Sequence, residues 1–68
     1  MLRDRAYPVH NEQTNAPLYV LITQGMALGY YILNEDDVLL AEGRDYYDME
    51  EVVIAAERCA RTCRPLDI

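Results

Sequence analysis

The chain has 68 residues, a net charge of −6 at pH 7 and 51% hydrophobic residues. Its length fits one small domain, and no stretch stays apolar long enough to span a bilayer. The negative charge disfavours direct binding to nucleic acid or to an anionic membrane, because both present negatively charged phosphates. The first residues lack the apolar core of a signal peptide, so we expect a cytoplasmic protein.

The N-terminal segment, residues 1–17, is predicted to form an irregular arm. It is polar and carries Pro8 and Pro17, and such segments order only when a partner or a target supports them. In an alternative interpretation, Tyr7 and Val9 contribute a short edge strand. Residues 18–68 are expected to hold the folded domain.

Two segments after the arm, at positions 18–23 and 28–33, are rich in aromatic and β-branched residues, and a third strand is predicted at positions 38–42. The first break contains Gly25, which predicts a hairpin with this glycine at positive φ. The second break, at residues 34–37, reads Asn-Glu-Asp-Asp and supplies turn residues. Short breaks of this kind connect antiparallel neighbours, so we expect a three-stranded antiparallel meander.

One amphipathic helix is predicted to follow the strands. Apolar residues recur every three or four positions from Met49 to Cys63, which is the spacing of one helix face. Asp48 is the expected N-cap, and Glu51 is placed to complete a capping box. The predicted fold is therefore α+β, with a three-stranded meander and one C-terminal helix packed on one face.

The predicted strands are apolar on both faces, although one helix can cover only one of them. A chain of this length without Trp or Phe also builds a small core, which favours oligomerisation. We therefore expect a homodimer formed through the face away from the helix. The predicted interface includes Tyr19, Leu21, Tyr30 or Ile32.

Few residues offer catalytic or metal-binding chemistry. Cys59 and Cys63 lie one helical turn apart, but His10 is the only histidine, so packing of two reduced thiols is favoured over a metal or redox pair. The acidic turn lacks the ligand pattern of a calcium loop. No acid, base and nucleophile converge in the pattern, so we predict no enzyme activity, no cofactor and no metal.

Acidic residues cluster between positions 35 and 57, and such a surface suits a protein partner with a basic surface. Alternatively, these acids only keep the protein soluble. Ile54 is predicted opposite the apolar helix face, where an aliphatic side chain is unusual. The candidate partner-binding residues combine acids with two apolar contacts: Glu35, Asp36, Asp37, Asp45, Tyr47, Glu50, Glu51 and Ile54.

The run from Tyr31 through Asn34, Val38 and Glu42 to the helix resembles the strand, turn, strand, Ser-Glu-x-Tyr, helix unit of the YegP-like small bacterial proteins of unknown function. Asn34 and Glu42 keep the spacing of that family, whereas Ala41 stands where the family has Ser, and two extra residues separate Glu42 from Tyr46. The resemblance covers less than half of the chain. It implies a β-β-α unit and a dimer, but no activity.

The predicted function is a small acidic protein-protein interaction module. Size and charge are typical of inhibitors that phages or mobile elements encode and that dock on a host protein. A host protein that normally binds nucleic acid would offer the basic surface. The alternative is a structural or assembly subunit of a larger complex, with no inhibitory role.

Overall fold

The computed structural model describes residues 2–64, which form an antiparallel sheet with one helix across one face. A short 3-10 turn, Leu2–Arg5, precedes the sheet. The other elements are β1 Tyr7–Asn11, β2 Ala16–Gln24, β3 Leu28–Leu33, β4 Leu39–Tyr46 and α1 Met49–Thr62. The strand order is β1-β2-β3-β4. The predicted α+β class, antiparallel sheet and C-terminal helix are confirmed, but the prediction of three strands is wrong because the sheet has four.

The additional strand is β1, so the prediction of an irregular arm is wrong for residues 7–11. β1 pairs with β2 from Tyr7 opposite Val20 to Asn11 opposite Ala16. Pro8 has no N–H to donate, and β1 lies at the edge of the sheet, where proline is tolerated. The alternative of an edge strand containing Tyr7 and Val9 is confirmed. Contacts with α1 support this polar strand, and local sequence does not reveal such contacts.

Gly25 does not have the positive φ that the hairpin prediction gave it, and neither do the other glycines of residues 2–64. The positive φ angles belong to Asn15, Asp37 and Asp45. Short polar side chains tolerate this conformation because they can bond to the nearby backbone. The prediction for Gly25 was therefore wrong, and the left-handed residues lie directly before β2, before β4 and within β4.

Strand β4 contains two irregularities in its pairing with β3. Leu28 lies opposite Tyr46 but Tyr30 lies opposite Gly43, so β4 has one extra residue between these pairs, near the left-handed Asp45. A bulge of this kind changes which face the following side chain occupies. Tyr46 consequently returns to the helix side, where its ring centroid lies 6.1 Å from that of Tyr30.

Gly43 lies directly beside the Tyr30 ring. A Cβ atom at position 43 would overlap that ring, so only glycine allows the tyrosine to lie flat across β4. Tyr30 is thereby held against the sheet, and its neighbour Tyr31 points to the opposite face.

The hydrophobic core lies between the sheet and α1. Its buried members come from β2, β3 and the helix: Leu18, Val20, Tyr30, Ile32, Val52, Ala56 and Ala60. Ala56 and Ala60 have small side chains, so the helix backbone can approach the sheet closely. Within residues 2–64, the only helix of regular α type has 14 residues and is neither long nor apolar enough to cross a membrane.

Candidate protein-binding surfaces

Five of the predicted partner-binding residues lie together along the chain where β4 leads into α1. We call them the helix-entry surface, and all are exposed: Asp45, Tyr47, Glu50, Glu51 and Ile54. Tyr47 is 82% exposed and Ile54 is 50% exposed. The bulge that packs Tyr46 against the core leaves the next residue, Tyr47, outside it. Carboxylates and apolar side chains are therefore combined on one accessible segment.

The acids at the start of α1, which are Asp48, Glu50 and Glu51, have a role in the fold. Asp48 Oδ1 accepts a hydrogen bond of 3.0 Å from the Glu50 amide, so the predicted N-cap is confirmed. Glu50 and Glu51 lie in the first turn of α1, where negative charge is stabilised by the helix dipole. Helix formation thus accounts for these acids. It does not account for exposed Tyr47 and Ile54.

The acidic turn, Glu35–Asp37, lies at the other end of β4. Its shape depends on Asn34, whose Oδ1 accepts hydrogen bonds from the amides of Asp36 at 2.8 Å and Val38 at 3.0 Å. The eight residues of β4 separate this turn from the helix-entry surface by roughly 25 Å, at about 3.3 Å per residue. The predicted binding residues therefore form two separate acidic surfaces. Their binding roles stay predictions.

The face of the sheet away from α1, called the outer face here, carries Tyr19 and Leu21 as predicted. Tyr30 and Ile32 are not on it, since they are 9% and 0% exposed in the core beneath the helix. Their placement in an interface on the outer face was wrong. Cross-strand partners share a face of the sheet. Because Leu21 pairs with Tyr31, the β3 side chains on the outer face include that of Tyr31, one residue from each of the predicted residues Tyr30 and Ile32.

The outer face contains a cavity of about 270 Å³ near the acidic turn, which we call the turn cavity. It is lined by Tyr31, Leu33, Asp37, Leu39 and Glu42. Tyr31 lies opposite Glu42, and Leu33 lies opposite Leu39, so two cross-strand pairs form its walls. Asp37 adds a second carboxylate from the turn. Sequence reasoning did not find this cavity, because it depends on the register between β3 and β4.

The two cysteines are free and half-buried at the C-terminal half of α1. Burial, and then the nearby Cys59, raise the pKa of the Cys63 thiol. A raised pKa favours the protonated thiol, which is a poor nucleophile and a poor metal ligand. Burial also raises the pKa of Tyr30 to about 12, with Cys59 as the next cause. The raised pKa of Cys63 is consistent with a packed, reduced thiol at this position.

Metal-binding side chains do not converge in the part of the chain that the structure describes. Among residues 2–64, no group of three or more His, Cys, Asp or Glu side chains could hold a metal ion. His10 is exposed on β1, opposite Pro17.

Comparisons with protein families, with curated proteins and with solved structures find no match for this chain. The resemblance to the YegP-like proteins therefore stays a prediction that no comparison tests.

Proposed function

We propose that this protein acts by binding another protein, through the helix-entry surface, and that the partner presents a basic surface. One observation carries the proposal. Tyr47 and Ile54 are 82% and 50% exposed beside carboxylates, although neither side chain contributes to the core. Tyrosine is enriched among the residues that dominate binding energy at protein interfaces.

Charged residues and apolar residues of this surface would affect different rates of binding. Exposed carboxylates increase the rate of encounter with a basic surface but contribute little net affinity at physiological salt. Tyr47 and Ile54 would supply contacts that exclude water and slow dissociation. A partner held in this way would be steered by charge and retained by packing.

The specific form of this proposal is an inhibitor of the kind that phages or mobile elements encode. Small size and a net charge of −6 support it. The target would be a host protein that normally binds nucleic acid, because an acidic surface can take the place of phosphates on a basic site.

The test compares proteins captured from a cell lysate by the wild-type chain, by the double variant Tyr47→Ala with Ile54→Ala, and by Val38→Ala. Val38 is a matched control, because it is 47% exposed but lies at the other end of β4. We expect wild type and Val38→Ala to capture the same basic protein. With that protein purified, Ile54→Ala should mainly speed dissociation, whereas Glu50→Gln with Glu51→Gln should mainly slow association and weaken its dependence on salt.

Retention of the partner by the double variant, with unchanged kinetics, would contradict a role for the helix-entry surface. Binding lost in Val38→Ala alone would instead assign the interaction to the other end of β4. Circular dichroism of each variant checks that the fold is intact.

A structural or assembly subunit is the second candidate, and the outer face favours it. Tyr19 and Leu21 lie on this face with Tyr31, and α1 packs against the opposite face. We propose that a second copy of the chain packs there. Light scattering at micromolar concentration should give a dimer mass, and Leu21→Glu should give a monomer. A monomer mass for wild type would refute the homodimer.

A further inference from the structure

We infer that the turn cavity binds the guanidinium group of an arginine side chain from the partner. This inference rests on the proposed function, because it names the chemistry by which a basic partner would be recognised. It adds a second contact, roughly the length of β4 away from the helix-entry surface. No residue of the helix-entry surface lines this cavity.

The size of the cavity suits one side chain. Its volume of about 270 Å³ lies just below the range of about 300–1,000 Å³ that is usual for cofactor and drug-sized ligands. The floor is Leu33, which is only 1% exposed although it lies outside the core cluster under α1. An apolar floor and a small volume favour an elongated side chain with an aliphatic stem.

The lining suits a planar cation. Asp37 and Glu42 contribute two carboxylates, and Tyr31 contributes an aromatic ring on the same wall as Glu42. A guanidinium group can donate two parallel hydrogen bonds to a carboxylate and stack on an aromatic ring. An ammonium group is compact and strongly hydrated, so it binds less strongly to a carboxylate beside an aromatic ring. The combination therefore favours arginine over lysine.

Glu42 already binds a guanidinium group within the chain. Arg44 Nη2 lies 3.0 Å from Glu42 Oε1, and the two side chains are 75% and 43% exposed. Solvent-accessible ion pairs of this kind contribute little to stability, so an incoming arginine can exchange with Arg44. Arg44 should consequently act as an internal competitor for Glu42.

The test uses the full chain and N-acetyl-arginine amide as the probe, followed by NMR chemical shifts. We expect saturable shifts at Tyr31, Leu33, Leu39 and Glu42, with a dissociation constant on the order of millimolar for one side chain. N-acetyl-citrulline amide has the same shape without the charge, and N-acetyl-lysine amide has the charge without the planar group. Both should bind at least about threefold more weakly.

Two substitutions on β4, at positions 42 and 44, should act in opposite directions. Glu42→Gln should weaken binding of the arginine probe at least about threefold, because it removes one carboxylate. Arg44→Ala should strengthen binding about twofold or more, because it removes the competitor. Val38→Ala, which does not line the cavity, should leave the dissociation constant unchanged.

Equal shifts with the citrulline probe, equal affinity for the lysine probe, or shifts confined to residues 45–54 would overturn the inference. A homodimer that covers the cavity would give no shifts there and would overturn it as well. This experiment needs no partner. Probe binding without any captured basic protein would therefore support the cavity while refuting the proposed function, and partner capture without probe binding would do the reverse.

Discussion

The two ends of α1 are held by different means. At the entry end, exposed Asp48 caps the helix through a hydrogen bond of 3.0 Å to the amide two residues later. At the exit end, Asn11 of β1 is 0% exposed, and its Nδ2 donates to the carbonyl oxygens of Ala60 at 2.7 Å and Cys63 at 2.8 Å. One end is capped locally, and the other is capped by a strand about fifty residues earlier.

Asn11 also organises the turn between β1 and β2. Its Oδ1 accepts hydrogen bonds from the amides of Gln13 at 3.0 Å and Thr14 at 2.9 Å. The next residue, Glu12, donates its amide to the carbonyl oxygen of Arg61 at 2.8 Å. Carbonyls at the end of a helix lack partners within the helix, so the polar side of β1 satisfies them. This difference indicates that the exit end depends on the sheet, whereas the entry end does not.

The largest expected effect is at the exit end. Asn11→Ala should lower the free energy of unfolding by about 3 kcal/mol, because several buried backbone groups lose their partner at once. Urea denaturation should show a lower midpoint with an unchanged slope. A loss below about 1 kcal/mol would contradict the contrast between the two ends.

Asn11→Asp is a matched control that keeps the acceptor oxygen and replaces the donor. The carboxylate would face two carbonyl oxygens in a buried site, so its pKa should be raised in the folded state. The folded protein then binds the proton more tightly than the unfolded chain. This variant should therefore become more stable as pH falls and less stable as pH rises through the folded pKa. Wild type lacks this titration.

A smaller effect is expected at the entry end. Asp48→Ala should cost about 1 kcal/mol, because the first amides of α1 lose their local acceptor but can still bond to water. Asp48→Ser keeps an acceptor and should restore most of the stability. Thermal unfolding followed by circular dichroism checks both variants, with about 4–8 °C expected for each kcal/mol in a domain of this size. If Asp48→Ala destabilised as strongly as Asn11→Ala, the two ends would be equivalent.

The smallest effect is expected at Tyr7, the first residue of β1. Its Oη donates to Glu57 Oε2 at 2.9 Å, and Tyr7→Phe should cost about 0.5 kcal/mol at this exposed position. Burial, and then Glu57, raise the pKa of Tyr7 from 10.0 to about 12. The folded state favours the protonated hydroxyl. Its contribution to stability is therefore complete below pH 10.0 and is lost as pH rises through about 12.

Tyrosine ionisation can be followed by ultraviolet absorbance, and the pKa values of both Tyr7 and Tyr30 are raised to about 12. Tyr7→Phe should remove one of these two late ionisations and leave that of Tyr30. If Tyr7→Phe instead removed an ionisation near pH 10.0, Tyr7 would not hold its proton against Glu57.

Much of the candidate binding surface follows from sequence, since local patterns decide it. The position of Ile54 opposite the apolar face predicts its exposure, which is 50%. The turn cavity does not follow from sequence, because a shift of one residue between β3 and β4 would exchange Tyr31 and Leu33 for Tyr30 and Ile32. Side chains alternate between the two faces of a strand, so an error of one position in β3 placed two core residues in the predicted outer-face interface.

The sequence by itself determined the α+β class, the extent of β3, the start of α1 at Met49 and the cap at Asp48. These features depend on periodicity and on hydrogen bonds between residues close in the chain. Only the tertiary structure decided that residues 7–11 form β1, because this polar strand is supported by hydrogen bonds from Asn11 to a helix end far along the chain. It also decided which side chains line the outer face. Strand register and contacts between distant residues have no local signature, so a folded chain was needed to reveal them.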